Sequence, residues 1–127
     1  MSFIVRYSER KLVVAAHPAP SLERICGGSR EWMPAVDIYE TDEALVIVVE
    51  LAGVSHKDIK VSVEGRRLRI EGWRQPTCAV RGARFHCLEI PSGHFERNLL
   101  VPFAFAPNAV EASTSEGLLT ITIRKGK

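Results

Sequence analysis

The stretch that decides the fold is NAVEASTSEGLLTITIRK, residues 108–125. Its first part, VEAST, is predicted to be a short strand, and its last part, LLTITIRK, alternates apolar and polar side chains with a period of two. Between them, the residues SEG form a tight turn, in which Gly117 supplies a positive φ that other residues adopt only with strain. The stretch therefore predicts a β-hairpin whose returning strand is anchored in a core by Leu119, Ile121 and Ile123.

Strand patterns also fill the chain upstream of this hairpin. AVDIYE alternates, ALVIVVEL is apolar on both faces as a central strand requires, and DIKVSVEG alternates before a turn into LRIEGWR. Two more strands, RFHCLEI and HFERNLLVPF, are predicted on either side of a Pro-Ser-Gly turn. Eight or nine strands at a spacing of about ten residues, with turn residues between them and no amphipathic helix, predict an all-β fold. The expected architecture is an antiparallel, immunoglobulin-like β-sandwich.

Residues 1–31 differ in character from the rest of the chain. Neither a helical nor a strand period persists there, and Pro18 and Pro20 interrupt the later part. Its two short apolar stretches could each form a short strand or part of a helix. We therefore expect a short, flexible N-terminal arm followed by a β-sandwich domain over residues 32–127.

The composition is that of a soluble globular domain. Of the 127 residues, 46% are hydrophobic and 25% are charged, which is ordinary for a domain that folds without disulfides or metals. A formal charge of +2 is too small to indicate a nucleic-acid partner, since such proteins usually carry a basic stripe. The apolar run LVVAA at residues 12–16 is too short for a secretory core segment or a membrane span. We therefore expect no leader, no membrane partner and no nucleic acid.

The cysteines favour a cytoplasmic location. Cys26, Cys78 and Cys87 make an odd number without paired spacing. This pattern does not fit the disulfide framework of a small secreted protein. A reducing compartment is the simpler interpretation.

No group of reactive side chains converges in the sequence. His86 and Cys87 are neighbours on a predicted strand, so their side chains point to opposite faces and cannot share a metal. His94 could approach His86 across a hairpin, but two histidines without a third ligand make a weak site. The serines lack a nucleophile-elbow context, and no Gly-rich loop leads into a helix. We therefore predict no catalytic residue, no metal and no cofactor, and a protein that binds rather than catalyses.

The C-terminal hairpin resembles a known family signature. Ala112, Gly117 and Leu119 match the A-x-x-x-x-G-x-L pattern of the small heat-shock proteins, whose shared unit is the α-crystallin domain. The segment PAVDIYETDEALVIVVELAGVSHKDIKVSVEGRRLRIEG is similar to the opening half of that domain. Bacterial members then carry a glutamate, a glycine and Phe-x-Arg-x-x-x-x-Pro, and here these positions are Glu89, Gly93, Phe95, Arg97 and Pro102. Several motifs in the correct order over residues 34–125 make the resemblance specific.

The resemblance implies a dimerising sandwich that holds partly unfolded client proteins in solution without ATP, metal or another cofactor. In bacterial and plant members a short strand from the long loop crosses to the sheet edge of the partner, and here that strand maps to FHCLE. Dimer contacts would involve Phe85, Leu88 and Glu89, with Arg97 as a candidate for a charge-assisted bond to a carboxylate. Such an exchange pairs an edge that otherwise invites aggregation. The alternative keeps residues 84–89 as a local hairpin arm of a monomer.

Two sets of residues are candidates for contact with clients. A groove formed by KVSVEG and VEAST is expected to present Val61, Val63, Val110 and Ala112, although packing inside the sandwich explains each of them equally well. The N-terminal arm offers a second apolar surface, made of Phe3, Ile4, Val5, Tyr7, Leu12, Val13 and Val14. Either surface would cover the apolar segments and unpaired strand edges that partly unfolded proteins expose.

Two departures from the family pattern bear on assembly. The C-terminal tail with an Ile-x-Ile or Ile-x-Val motif is not seen, since the chain ends at Lys127 and its one Ile-x-Ile, residues 121–123, lies inside the final strand. We therefore expect homodimers or small oligomers rather than large shells. The arm also lacks the many phenylalanines typical of the family. A second hypothesis follows: a sandwich-type co-chaperone or interaction module that docks on one folded partner, or a subunit that co-assembles with a longer paralogue.

Overall fold

The computed structural model of the protein describes residues 2–4 and 32–126. These residues form eight β-strands and two single-turn 3₁₀ helices. The strands are β1 (Ser2–Ile4), β2 (Val36–Glu40), β3 (Ala44–Glu50), β4 (Ile59–Glu64), β5 (Arg67–Arg74), β6 (Gly93–Leu100), β7 (Val110–Ser115) and β8 (Leu118–Arg124), and the 3₁₀ helices span His56–Asp58 and Pro107–Ala109.

The strands form two four-stranded antiparallel sheets. The first has the order β1-β4-β5-β6 and the second has the order β2-β3-β8-β7. The apolar faces of the two sheets pack against each other, because strands that alternate apolar and polar residues can bury only one face in this way. The predicted all-β antiparallel sandwich is confirmed.

The central strands of the second sheet are β3 and β8. Five of the seven residues of β3 are buried, as expected for its apolar sequence, and the strand pairs Ile47 with Ile121 and Val49 with Leu119. β8 instead alternates, and its residues Leu119, Ile121 and Ile123 are fully buried. β-branched side chains suit this position because they pack well on a pleated surface.

The turn between β7 and β8 has the conformation expected from its sequence. Glu116 and Gly117 have φ angles of 51° and 81°, which is the pattern of a two-residue type I′ hairpin. Gly117 also packs closely against the chain after β3, since a Cβ on it would lie 3.1 Å from Cα of Ala52. The backbone N–H of Leu51 donates to the oxygen of Gly117 at 2.8 Å. Gly117 thus lies in the turn, and Leu119 and Ile121 lie in the core.

One predicted strand is not formed within the single chain. RFHCLEI, residues 84–90, forms neither a strand nor a hairpin, and the whole segment 75–92 is a loop. The strands on either side of the loop, β5 and β6, pair directly with each other from Arg74 opposite Gly93 to Arg67 opposite Leu100. The loop therefore has no neighbouring strand with which to complete a hydrogen-bonded ladder, whatever the propensity of its residues.

Part of the predicted N-terminal arm also enters a sheet. β1 pairs antiparallel with β4, with Phe3 opposite Val63 and Ile4 opposite Ser62. The other apolar residues predicted for the arm, Val5, Tyr7, Leu12, Val13 and Val14, lie outside the described residues.

Candidate interaction surface

The loop between β5 and β6 carries exposed apolar side chains. Phe85 and Leu88 are each 53% exposed, and Ile90 and Val80 are 57% and 71% exposed. Neighbouring large apolar side chains in contact with water often mark a surface that binds another molecule. Glu89, the third predicted dimer residue of this loop, is also exposed. The loop is therefore free, within the single chain, to contact a partner.

A second surface of this kind is the edge formed by β2. β2 has β3 as its neighbour on one side, and on its other side no described residue forms a strand with it. Its residues Ile38 and Tyr39 are 49% and 54% exposed. An unpaired edge presents backbone N–H and C=O groups that can accept an added strand.

Arg74 closes the base of the loop. It is the last residue of β5, and its side chain is only 7% exposed. Nε and Nη2 donate to the backbone oxygen of Pro91 at 2.9 and 2.7 Å, and Nη1 donates to the oxygen of Ala52 at 3.3 Å. We call this contact between Arg74 and Pro91 the neck of the loop.

The neck is also in contact with the beginning of the sandwich domain. The guanidinium carbon of Arg74 lies 4.0 Å from the ring centroid of Trp32. Trp32 is held in turn by β6, since its Nε1 donates to the oxygen of Gly93 at 3.1 Å and its backbone N–H donates to the oxygen of His94 at 3.3 Å. Its ring packs 5.4 Å from that of Phe95. Trp32 thus joins the neck to the edge of β6.

The charge of Arg74 is stabilised by the dipoles of backbone carbonyl groups and by the face of the Trp32 ring. Burial lowers its pKa, and the nearby carboxylate of Glu50 acts in the opposite direction. A guanidinium remains protonated under such conditions, because its ordinary pKa is far above neutrality. Backbone carbonyl oxygens and the face of the Trp32 ring compensate in part for the water that the cation has lost.

The predicted partner residue Arg97 lies on β6, apart from the loop. It is partly buried and is paired with Ile70 of β5. Among the described residues no ion pair joins it to Glu89. The structure therefore brings Phe85, Leu88 and Glu89 together on one loop, and does not bring Arg97 to them within the single chain.

The predicted client groove is corrected by the structure. Val61 and Val63 of β4 are 3% and 2% exposed, and Val110 and Ala112 of β7 are 6% and 2% exposed. All four belong to the core, because the alternation of β4 and β7 turns these positions towards the other sheet. The open depression beside these strands is lined by other residues, among them Leu51, Val54, Ile59, Thr114 and Leu118.

The outer face of β5 and β6 carries a small ionic cluster. Glu71 and Glu96 are directly opposite each other, which is unfavourable for two carboxylates unless a cation compensates. Arg69 supplies that cation, since its Nη2 lies 3.2 Å from Glu71 and also hydrogen-bonds Glu96. With His94 the two glutamates form a group that could hold a metal ion, but Arg69 contacts both carboxylates. We therefore interpret the group as an ion-pair network on the sheet surface.

The pKa of Glu96 reflects this network. A hydrogen bond from the side-chain amide of Asn98 is the main cause of a lowered pKa, and the hydrogen bond from Arg69 adds to it. The same contact with Glu96 raises the pKa of Arg69. Both groups are therefore charged at neutral pH.

Sequence reasoning missed the role of Arg74. A charged residue at the end of a strand is ordinarily expected on the surface, and so Arg74 was not among the predicted site residues. The period-two pattern contained the missing signal, since Arg74 follows Leu68, Ile70 and Gly72 on the inward face of β5.

The described residues contain no helix with the length and hydrophobicity of a membrane span.

Comparison with known proteins identifies similar chains. A family model described as the Hsp20/alpha crystallin family matches residues 37–127. The small heat shock protein C2 of Rickettsia felis is 32% identical over 93 residues, which cover 73% of this chain and 60% of that protein. The spore protein SP21 of Stigmatella aurantiaca is 33% identical over 98 residues, or 77% of this chain and 58% of that protein. The matched region thus spans about 60% of the length of these curated relatives.

Solved structures give the same result. Heat shock protein 16.0 from Schizosaccharomyces pombe superposes with a TM-score of 0.71 at 28% identity, over 76% of this chain and 89% of that chain. A small heat-shock protein from Xylella fastidiosa, described as having a distinct high-order structure, superposes with a TM-score of 0.70 at 31% identity. That match covers 77% of this chain and 90% of the Xylella chain. The similarity therefore extends over nearly all of the described sandwich.

Proposed function

Because this chain belongs to the Hsp20/alpha crystallin family, we propose that it is an ATP-independent chaperone, which binds partly unfolded proteins and suppresses their aggregation under stress. The observation that carries the proposal is an exposed apolar loop on a well-packed sandwich: Phe85, Leu88 and Ile90 of this loop are all more than half exposed. Such a surface binds through apolar contact and strand pairing, and neither requires a nucleotide or a metal.

The energetics favour weak and repeated contacts. Covering about 400 Å² of apolar surface of a client contributes roughly 10 kcal/mol at about 25 cal/mol per Å². Most of this is offset by the lost freedom of the client and of the side chains that hold it. The residues predicted for the N-terminal arm, Phe3 to Val14, remain part of the proposed client surface.

We further propose that two copies of the chain dimerise by strand exchange. Residues 85–89 of one copy would add to β2 of the other, which is five residues long and has a free edge among the described residues. This would pair the backbone of both segments and cover Ile38 together with Phe85 and Leu88. Arg97 remains the proposed candidate for a charge-assisted bond to a carboxylate across this interface.

The proposed location is the cytoplasm. The support for it is the cysteine pattern, since Cys78 and Cys87 are both free thiols in the structure and the odd total does not fit a secreted disulfide framework.

The direct test uses heat-induced aggregation of an unrelated enzyme, followed by light scattering without added nucleotide. Reduced scattering at a molar excess of the chain supports the proposal, and scattering equal to that with an inert protein contradicts it. A pull-down from heated and unheated extract tests the second hypothesis. A heterogeneous, heat-dependent set of proteins supports a chaperone, whereas one stoichiometric folded partner supports an interaction module.

A further inference from the structure

We infer that Arg74 is a positioning residue for assembly: it closes the neck of the loop and so directs the segment at residues 85–89 towards a second copy of the chain. This inference rests on the proposed dimer. It concerns a residue that makes no contact with the proposed partner and acts only through the segment that does.

The first argument is the geometry of the neck. The loop begins directly after Arg74, and the guanidinium holds the oxygen of Pro91 with two hydrogen bonds of 2.9 and 2.7 Å. The two ends of the loop are therefore joined by a side chain as well as by the pairing of Arg74 with Gly93. Two donors on one acceptor also restrict the direction in which Pro91 faces, which a single donor would not do.

The second argument is the cost of burying this cation. Arg74 is 7% exposed, and its hydrogen bonds go to backbone oxygens of Pro91 and Ala52. Burying a charge that has no hydrogen-bonded carboxylate costs free energy. An apolar side chain would fill the same space at a lower cost, so packing alone does not explain an arginine here. The specific gain from an arginine at this position is the fixed orientation of the segments that it joins.

The third argument is the contact with Trp32. The ring of Trp32 covers the guanidinium at 4.0 Å and is itself fixed to β6 through Gly93 and Phe95. Trp32 therefore makes its contacts at the point from which the loop emerges. Any change in the position of Trp32 acts on the neck directly.

A loop whose base is fixed loses less conformational entropy when its tip is added to another sheet. The residues 75–90 would otherwise sample many directions, and only a fraction of these place residues 85–89 for pairing. Because both copies must be competent for a reciprocal exchange, the measured dissociation constant of the dimer rises as the inverse square of that fraction. Loosening the neck should therefore weaken the dimer without changing any residue of the interface.

The test compares Arg74→Lys with Arg69→Lys, the same substitution at an exposed arginine of the same strand. Lysine keeps the charge but lacks the planar fork, so we expect Arg74→Lys to raise the dimer dissociation constant about tenfold, as for a competent fraction reduced to about a third in each of the two copies. Arg69→Lys should stay within about twofold of the unchanged chain. Sedimentation over a concentration series measures both constants, and thermal unfolding is recorded in parallel.

Two further measurements separate positioning from stability. Trypsin should cleave Arg74→Lys faster after the loop residues Arg81 and Arg84 than it cleaves Arg69→Lys. Trp32→Phe keeps an aromatic face but loses the hydrogen bond to Gly93, so we expect a smaller rise in the dissociation constant, about threefold for a competent fraction of about 0.6 in each copy. Trp32→Phe also provides the decisive measurement if Arg74→Lys does not fold.

The outcomes are distinct. An unchanged chain that is monomeric throughout the series overturns the proposed dimer, and with it this inference. If the unchanged chain dimerises but Arg74→Lys does so with the same affinity, or if Arg69→Lys weakens the dimer equally, the inference alone is overturned. A loss of dimer in Arg74→Lys that is fully explained by global unfolding, with no rise for Trp32→Phe, also overturns it.

Discussion

Gly72 of β5 and Phe95 of β6 are paired so closely that a Cβ atom on Gly72 would lie 2.6 Å from Cζ of Phe95. The same atom would lie 2.0 Å from the backbone oxygen of Asp58. Phe95 is fully buried and is among the largest such side chains of the core. The missing side chain at Gly72 therefore lets the Phe95 ring and the 3₁₀ helix before β4 approach the same point.

Replacing Gly72 by alanine should strongly destabilise the fold. The added methyl group meets backbone on one side and a buried ring on the other, and forced overpacking of this kind costs about 3 kcal/mol or more. Urea unfolding measures the loss. Gly126→Ala is the control, since a Cβ there meets nothing within 4 Å, and a loss equal to that of Gly72→Ala would contradict the explanation.

Replacing Val61 by alanine tests the corrected position of this residue. Val61 is 3% exposed whereas Val80 is 71% exposed, so the same substitution can be made at a buried and an exposed site. We expect Val61→Ala to lower the free energy of unfolding by about 2 kcal/mol through lost burial and a cavity. Val80→Ala should change it by less than about 0.5 kcal/mol. Equal effects would return Val61 to the surface groove that the sequence suggested.

Replacing Phe85 and Leu88 together by alanine should weaken the proposed dimer and leave the folded subunit intact. Both side chains are 53% exposed in the single chain, so we expect a change in unfolding free energy below about 1 kcal/mol for the pair. Truncating a side chain that dominates an interface core typically costs more than about 1 kcal/mol of binding free energy. Sedimentation measures the dimer, and Val80→Ala on the same loop provides the comparison. A double variant that dimerises normally would rule out this segment as the contact.

The contribution of the Glu96 carboxylate to the free energy of unfolding should disappear in acid. Its pKa is lowered in the folded protein, mainly by Asn98 and then by Arg69. A lowered carboxyl pKa adds stability above the ordinary value of about 4.3, and this stability is lost as the pH falls through the folded pKa. The difference in unfolding free energy between the unchanged chain and Glu96→Gln should therefore shrink as the pH falls from about 5 to about 3.

The Asn98→Ala variant checks the cause of that effect. Without the amide donor, the pKa of Glu96 should lie closer to its ordinary value and the acid-dependent difference should become smaller. The contribution is modest, because the side chain of Glu96 is 32% exposed and water screens its charge. A difference that does not vary with pH, in either background, would show that Arg69 and Asn98 do not stabilise the ionised carboxylate.

The strands that the sequence predicted correctly share one property. In β4 and β8 the apolar residues recur at every second position, and Leu119, Ile121 and Ile123 of β8 lie in the core where that period placed them. Gly117 was predictable for a similar reason, since a two-residue turn at this point needs positive φ. These features depend on residues close together in the chain, so local chemistry is enough to predict them.

The sequence by itself therefore determined the antiparallel sandwich, most of its strands and its closing hairpin, because alternation and turn residues act over a few neighbouring positions. Only the tertiary structure decided that RFHCLEI is a loop, that Val110 and Ala112 face the core, and that Arg74 holds Pro91 beneath Trp32. Each of these depends on which segment becomes the neighbour in space: a strand needs an adjacent strand to pair with, and a buried cation needs oxygens or an aromatic ring from distant parts of the chain.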